Sequence, residues 1–117
     1  MIAHPDAAFW DRRATRYARG KIADPGGYDR TLARTAALLA PADRVLELGC
    51  GTGTTALRLA GGVASYLATD VSPAMIAIAN DKHGAAPVSG LRFAAAPADS
   101  LPPDATGPFD AVLAFNL

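Results

Sequence analysis

The stretch RVLELGCGTGTTALRLA, residues 44–60, joins a short apolar run to a helical pattern through a turn that contains three glycines. Its first part, RVLEL, predicts a buried strand, and TTALRLA, residues 54–60, predicts a helix. Gly49, Gly51 and Gly53 stand between them. Because glycine has no Cβ, such a turn can be tight and can bring the backbone close to a ligand. We therefore expect a ligand where this strand meets this helix.

The composition is that of an ordinary globular domain. The chain has 117 residues, a hydrophobic fraction of 50% and a formal net charge of zero. This length allows one domain with one core. A disordered tail or a nucleic-acid-binding surface would require a strong charge excess, so we expect neither.

The printed sequence also shows none of the targeting signals typical of exported and membrane proteins. Cys50 is the single cysteine, which rules out an internal disulfide, and the opening MIAHPDAAFWDRR lacks the apolar core of a signal peptide. No segment approaches the roughly 18 apolar residues of a membrane span. We therefore expect a cytoplasmic chain without a membrane partner.

Two helices are predicted before residue 41. The first covers residues 6–19, with Asp6 as a possible cap, and the second covers residues 28–40 and stops before Pro41. Seven of the eleven basic residues lie between Arg12 and Arg34, and we interpret them as a solvated outer surface. The positions predicted to face the core are Trp10, Ala14 and Tyr17 in the first helix and Leu32, Ala36 and Leu39 in the second.

Strands and helices alternate in the remainder of the chain. Strands are predicted at residues 44–48, 63–70, 91–96 and 109–115, and helices at residues 54–60 and 73–83. Ser72 is placed to cap the second of these helices, Pro73 to begin it and Gly84 to end it. Alternating strands and helices indicate parallel pairing with right-handed crossovers. The predicted fold is therefore an α/β doubly wound sheet.

The last predicted strand lies at the end of the printed sequence. The apolar run FDAVLAFNL, residues 109–117, closes the printed sequence, with no further residues to cover or pair it. An exposed apolar edge strand promotes association with other chains. We therefore expect a truncated chain that can self-associate through the open edge of the fourth strand.

The spacing of the glycines bears on the kind of ligand. A dinucleotide site prefers G-x-G-x-x-G, but counting from Gly49 places Thr54 at the third glycine position. An acid, Glu47, also stands in the strand just before the turn. A carboxylate would repel a pyrophosphate and attract a cation. The pattern therefore favours a cationic ligand.

A second acid indicates a ribose. Asp70 lies 21 residues after Gly49, at the end of the second predicted strand. In a doubly wound sheet the ligand lies at the carboxyl ends of the strands, where a carboxylate can accept hydrogen bonds from both ribose hydroxyls.

Three segments in order, VLELGCGTG, ATDVSPAMIAIAN and FDAVLAFN, resemble successive motifs of the class I S-adenosylmethionine-dependent methyltransferases. The resemblance covers about residues 44–116, and residues 1–40 are more loosely similar to the N-terminal helices of members that act on small molecules. It implies a Rossmann-like sheet with four of seven strands present, in the order 3-2-1-4. It also implies an N-terminal segment, residues 1–40, on the lid and substrate side, and an incomplete cofactor-binding domain, residues 41–117.

The resemblance assigns roles around the cofactor, S-adenosyl-L-methionine. The methionine part would lie against Glu47 and the glycine turn, with the ribose on Asp70 and the adenine on Val71 and Met75. Cys50 is then a small turn residue and not a nucleophile. The turn residues concerned are Gly49, Cys50, Gly51, Thr52 and Gly53.

Adenine recognition departs from the family pattern. Pro97 stands where an acid is usual, which leaves the Ala98 amide and the Asp99 carboxylate as candidate contacts. Across the crevice, the resemblance places Phe115 near the cofactor, and Tyr17 is either a core residue or an aromatic that closes over the cofactor.

The implied activity is methyl transfer to a small-molecule acceptor by in-line attack, with no metal and no catalytic side chain that the sequence identifies. Alignment of the reactants and exclusion of water would supply most of the catalysis. Two alternatives remain open. One is a truncated, non-catalytic remnant that binds cofactor or a partner chain, and the other is an NAD-dependent oxidoreductase, which Glu47 and Thr54 disfavour.

Overall fold

The computed structural model describes residues 5–14, 24–103, 105 and 107–115. The elements in chain order are α1 (Pro5–Asp11), α2 (Pro25–Leu38), β1 (Arg44–Leu48), α3 (Thr54–Leu59), a 3-10 helix (Ala60–Gly62), β2 (Ser65–Asp70), α4 (Pro73–Ala85), β3 (Leu91–Ala95) and β4 (Ala111–Ala114). No helix in the described part of the chain combines the length and apolar character needed to cross a membrane.

The four strands form one sheet in the order β3-β2-β1-β4, and every neighbouring pair is parallel. In the centre of the sheet Glu47 of β1 is paired with Ala68 of β2 on one side and with Leu113 of β4 on the other. The carboxyl ends of all four strands therefore meet at one edge, directly before the glycine turn. The predicted α/β Rossmann-like fold and its 3-2-1-4 order are confirmed.

The core lies between one face of this sheet and helices α3 and α4. Strand residues on this face include Val45 and Tyr66, both at most 1% exposed, together with Phe93. Ala56 and Leu59 of α3 and Ile76 and Ala79 of α4 belong to the same cluster. Leu32 is the buried residue of α2 in it. Since side chains alternate along a strand, Glu47 lies on the same buried face as Val45.

Helix starts follow the capping chemistry of the sequence. The Ser72 hydroxyl accepts a hydrogen bond from the Met75 amide at 3.1 Å, and Pro73 begins α4, so both predictions are confirmed. Asp24 caps α2 in the same way by accepting from the Gly27 amide at 3.0 Å. Helix α2 therefore begins at Pro25, three residues before the predicted start.

The first predicted helix, residues 6–19, is not continuous. Helix α1 ends at Asp11, Arg12 and Arg13 form a turn, and Ala14 is again helical. The rest of the prediction, residues 15–19, lies outside the described residues. The Arg13 guanidinium lies over the Phe9 ring and donates to the Phe9 carbonyl at 2.9 Å, satisfying one of the carbonyls left free at a helix end. Asp6 lies inside the first turn and is not the cap, and Trp10 is 38% exposed.

Other boundaries shift for local reasons. Of the core positions predicted for the second helix, Ala36 is exposed, and Leu39, which lies just after the end of α2, is half-buried. Gly84 does not end α4, which continues to Ala85, because this glycine lacks the positive φ of a helix-ending residue. Strand β2 begins at Ser65, since the Val63 amide instead bonds the Ala60 carbonyl in a turn.

Candidate functional site

The glycine turn has the geometry that its sequence predicts. Gly49, Gly51 and Gly53 have φ values of 70°, 57° and 83°, in the left-handed region that glycine adopts without strain. The Cys50 amide donates to the Thr69 carbonyl at 2.9 Å, which ties the turn to the end of β2. The turn therefore lies at the carboxyl ends of β1 and β2, where a doubly wound sheet binds its ligand.

Gly53 also allows two elements to pack closely. A Cβ on this residue would lie 2.7 Å from the Phe93 ring and 3.0 Å from the Ala79 Cβ. The turn therefore packs directly on β3 and α4, and no side chain fits at this glycine.

The Asp70 carboxylate fixes the turn from the neighbouring strand. One oxygen, Oδ2, accepts a hydrogen bond from the Gly51 amide at 2.9 Å, and the other, Oδ1, accepts from the Ser72 amide at 3.0 Å. Each carboxylate oxygen has two lone-pair sites, so each can accept one further hydrogen bond. Asp70 is half-buried. It is thus held rigidly by two backbone amides and can still accept from a diol.

Glu47 is a buried carboxyl group beneath the turn. It is 3% exposed, and the Tyr66 hydroxyl donates to its Oε1 at 2.6 Å. Burial raises the pKa of Glu47 to about 7; the Tyr66 hydrogen bond opposes this rise, and the charge of Asp70 adds to it. A cation brought close to this group would favour its charged form.

Cys50 lies in the same negative environment. Its thiol is buried, and burial together with the charges of Glu47 and Asp70 raises the pKa of Cys50 far above its usual range. A thiol is nucleophilic only as the thiolate, so Cys50 is unreactive near neutral pH. These properties fit the expected small turn residue.

Thr52 is held from α4. The Lys82 ammonium donates to the Thr52 hydroxyl at 3.0 Å and to the Thr54 hydroxyl at 3.3 Å, and partial burial lowers the pKa of Lys82. The Thr52 side chain is itself 4% exposed. Lys82 therefore links α4 to the first turn of α3 and engages the Thr52 hydroxyl.

The remaining candidate residues are dispersed. Val71 is half-buried beside Asp70, whereas Met75 is 2% exposed and has almost no free surface for an adenine ring. Ala98 and Asp99 are exposed in a turn that begins at Pro97. Phe115 packs partly against the core cluster. Tyr17 lies outside the described residues. The structure thus brings together the glycine turn, Glu47 and Asp70.

Two residues near the site were missed by sequence reasoning. Tyr66 lies in β2, but its hydrogen bond with Glu47 depends on a strand register that the sequence does not reveal. Asp11 accepts hydrogen bonds from the Ser72 hydroxyl at 2.5 Å and from the Ala74 amide at 2.9 Å. A separation of 61 residues gave no signal for this contact.

A cavity of about 200 Å³ lies at the opposite edge of the sheet, near the amino ends of the strands. It is lined in part by Arg44, Leu67, Arg92 and Phe109. In residues 5–14, 24–103, 105 and 107–115, no group of three or more His, Cys, Asp or Glu side chains could hold a metal ion. The glycine turn is the stronger candidate for a ligand site, because its left-handed glycines let the backbone approach a ligand closely.

Comparison with known proteins identifies the family and the fold. A family model described as "Methyltransferase domain" matches residues 45–117, which run from the second residue of β1 to beyond β4. A probable ribosomal RNA small subunit methyltransferase A of Methanosarcina mazei is 38% identical over 65 residues, which is 56% of this chain and 23% of the archaeal protein.

Solved structures of two proteins superpose on most of this chain. The CcbJ methyltransferase from Streptomyces caelestis superposes with a TM-score of 0.76 at 28% identity, covering 95% of this chain and 45% of CcbJ. The DhpI–SAH complex gives a TM-score of 0.65 at 28% identity, covering 92% of this chain and 50% of DhpI. The chain thus spans half or less of the length of each of these proteins.

Proposed function

Because the chain belongs to the family of methyltransferase domains that its residues 45–117 match, we propose that it binds S-adenosylmethionine at the glycine turn and takes part in methyl transfer to a small-molecule acceptor. The observation that carries this proposal is the hydrogen bond from the Gly51 amide, in a turn of three left-handed glycines, to the Asp70 carboxylate. The turn exposes backbone to the ligand, and Asp70 offers lone pairs beside it.

The residues present fit this cofactor. The turn and the Glu47 carboxyl suit a group that carries an ammonium and a sulfonium, because a buried carboxylate attracts a cation and repels a pyrophosphate. Asp70 suits the ribose, since both of its oxygens keep an acceptor site. The adenine has no comparably specific contact, because Met75 is covered and Asp99 is exposed.

When bound, S-adenosylmethionine supplies a methyl group that is already activated by its positively charged sulfur. The chain's own residues therefore need to bind, orient and exclude water. Asp70 and the glycine turn form a rigid platform, and Glu47 provides the opposing negative charge. An acceptor hydroxyl or amine must also lose a proton to a base. We assign that role to none of the described residues.

Calorimetry on the full chain tests the cofactor assignment. We expect S-adenosylmethionine and its demethylated product to bind and NAD not to bind. Asp70→Ala should weaken cofactor binding by about 1.5–3 kcal/mol, the range for hydrogen bonds to a charged group. Asp81→Ala, which removes an exposed carboxylate from α4, serves as the control. Equal affinity of Asp70→Ala and parent would overturn the ribose assignment.

The acceptor class needs a separate test, because the archaeal relative is a ribosomal RNA methyltransferase. A small molecule is favoured by the net charge of zero, since binding to a nucleic-acid backbone depends on an excess of Lys and Arg. Transfer of a radiolabelled methyl group to a small-molecule fraction and to ribosomal RNA, in parallel, separates the two. Labelled RNA with an unlabelled small-molecule fraction would reject our proposal.

A further inference from the structure

The Asp11 carboxylate joins helix α1 to the start of α4. The Asp11 Oδ1 accepts from the Ser72 hydroxyl at 2.5 Å and from the Ala74 amide at 2.9 Å. Ala7 lies one helical turn before Asp11 on α1 and is 2% exposed, so a small buried side chain accompanies this contact. Asp11 therefore adds a second cap to α4 from a different part of the chain.

Ser72 connects this contact with the ligand site. It is fully buried, and its hydroxyl donates to Asp11 while accepting from the Met75 amide. Its own amide donates to Asp70 Oδ1 at 3.0 Å. Since all of the hydrogen-bonding groups of one small residue are engaged, its position is strongly fixed. The orientation of Asp70 depends on that position.

The electrostatics of the contact are favourable. The first amides of a helix carry a partial positive charge, which stabilises an anion, and α4 is 13 residues long. Two hydrogen bonds lower the pKa of Asp11: the one from the Ser72 hydroxyl has the larger effect, and the one from the Ala74 amide has the smaller. Asp11 is therefore charged at neutral pH, and its contact with α4 is maintained there.

We propose that Asp11 is a positioning residue of the cofactor site, which holds α1 against α4 and, through Ser72, orients Asp70. This inference rests on the proposed cofactor site. It makes the N-terminal segment part of the ribose end of that site, although Asp11 itself need not touch the ligand. Residues 15–23, which follow the contact, lie outside the described part of the chain.

A double-mutant cycle tests the proposal. We expect Asp11→Ala to raise the dissociation constant for S-adenosylmethionine about fivefold to tenfold in the parent, since a lost hydrogen bond to a charged group is felt on this scale. In an Asp70→Asn background, which keeps one acceptor oxygen, the same change should raise it less than twofold. The dissociation constant of Asp11→Asn should lie between those of the parent and Asp11→Ala, because the asparagine amide oxygen can still accept from the Ser72 hydroxyl.

Hydrogen exchange of residues 5–14 gives a readout that needs no cofactor. Exchange should accelerate in Asp11→Ala and remain at the parent rate in Asp81→Ala, which removes a carboxylate from the exposed side of the same helix α4. Circular dichroism of each variant confirms that the sheet remains folded.

The outcomes separate the two proposals. A parent chain that binds no S-adenosylmethionine rejects the proposed function, and the exchange rates still test whether Asp11 holds α1. A parent chain that binds, with Asp11→Ala unchanged in affinity, rejects the positioning role. An equal loss of affinity in the parent and Asp70→Asn backgrounds also rejects it, because the effect would not pass through Asp70.

Discussion

Glu47 illustrates a conflict between stability and binding at a single residue. Its carboxyl group is 3% exposed, and burial raises its pKa to about 7. In the unfolded chain a glutamate ionises near its ordinary pKa of about 4.3. Between these values the folded state binds a proton that the unfolded state has lost, so the stability contributed by Glu47 falls as pH rises through this window. A cationic cofactor would compensate for that loss.

We predict that Glu47→Gln stabilises the chain above pH 7 and weakens cofactor binding. A pKa difference of 2 to 3 units corresponds to about 3 kcal/mol, so the gain at pH 8 should approach that size and should vanish near pH 4. Glutamine still accepts from Tyr66. Urea denaturation of both chains across pH 4–8 measures the difference in free energy of unfolding. A difference that does not vary with pH would contradict the assignment.

Gly53 should tolerate no side chain. Its φ of 83° is strained for alanine, and the added Cβ would lie 2.7 Å from the Phe93 ring. We predict that Gly53→Ala destabilises the chain by about 2–4 kcal/mol, the sum of backbone strain and overpacking. Gly84→Ala is the matched control, since a Cβ there meets nothing within 4 Å and alanine favours a helix by up to about 1 kcal/mol. Thermal unfolding of the two variants should shift in opposite directions.

At the scale of elements, a hydroxyl pair and an ion pair join α2 to α3. The Tyr28 and Thr55 hydroxyls are 2.7 Å apart in a partly buried position. Arg58 and Asp29 form an ion pair at 2.9 Å, with side chains that are 48% and 62% exposed. Exposed ion pairs contribute little because water screens them, whereas a buried hydroxyl without a partner is costly. The hydroxyl pair should therefore matter more.

We predict that Tyr28→Phe lowers the free energy of unfolding by about 1 kcal/mol and that Asp29→Asn lowers it by less than about 0.5 kcal/mol. Asp29→Asn is the suitable comparison because it leaves Arg58 over the Tyr28 ring, 5.4 Å from its centre. Denaturant titration measures both. A larger loss for Asp29→Asn than for Tyr28→Phe would show that the ion pair holds the two helices together.

Helix boundaries show which local signals the sequence carries. The Ser72-Pro73 pair predicts the start of α4 correctly, and the same signal at Asp24-Pro25 predicts the start of α2 once it is applied there. The end of α1 is not predictable in this way, because it depends on Arg13 reaching back to Phe9. Gly84 is misleading, since glycine permits the end of a helix without requiring it.

At the scale of the whole molecule, β4 lies at one edge of the sheet, and Val112 is 58% exposed on it. An apolar edge strand tends to pair with another chain. We predict concentration-dependent self-association of the 117-residue chain, which Val112→Lys should weaken. Leu38→Lys, at a position on α2 that is 85% exposed, should leave it unchanged. Sedimentation velocity distinguishes these results, and equal effects of the two variants would argue against β4 as the contact.

The parallel α/β sheet and the placement of the glycine turn could be predicted because they depend on repeated local patterns: strand, glycines, helix, and an acid after the next strand. The 3-2-1-4 strand order was predicted only from the resemblance to a family, and the structure confirms it. The pairing of Glu47 with Tyr66 and of Asp11 with Ser72 could not be predicted. Both join residues far apart in sequence, and the exact register and helix docking that create them arise only when the core packs.

Cys50 gives the chain an intrinsic chemical probe. Its thiol is the only one in the sequence, lies in the centre of the proposed cofactor site and is buried and protonated. An alkylating reagent can modify it only after the glycine turn opens and the thiol ionises. The rate of alkylation therefore reports how often the turn opens, and a ligand bound against the turn would slow that reaction without any label being introduced.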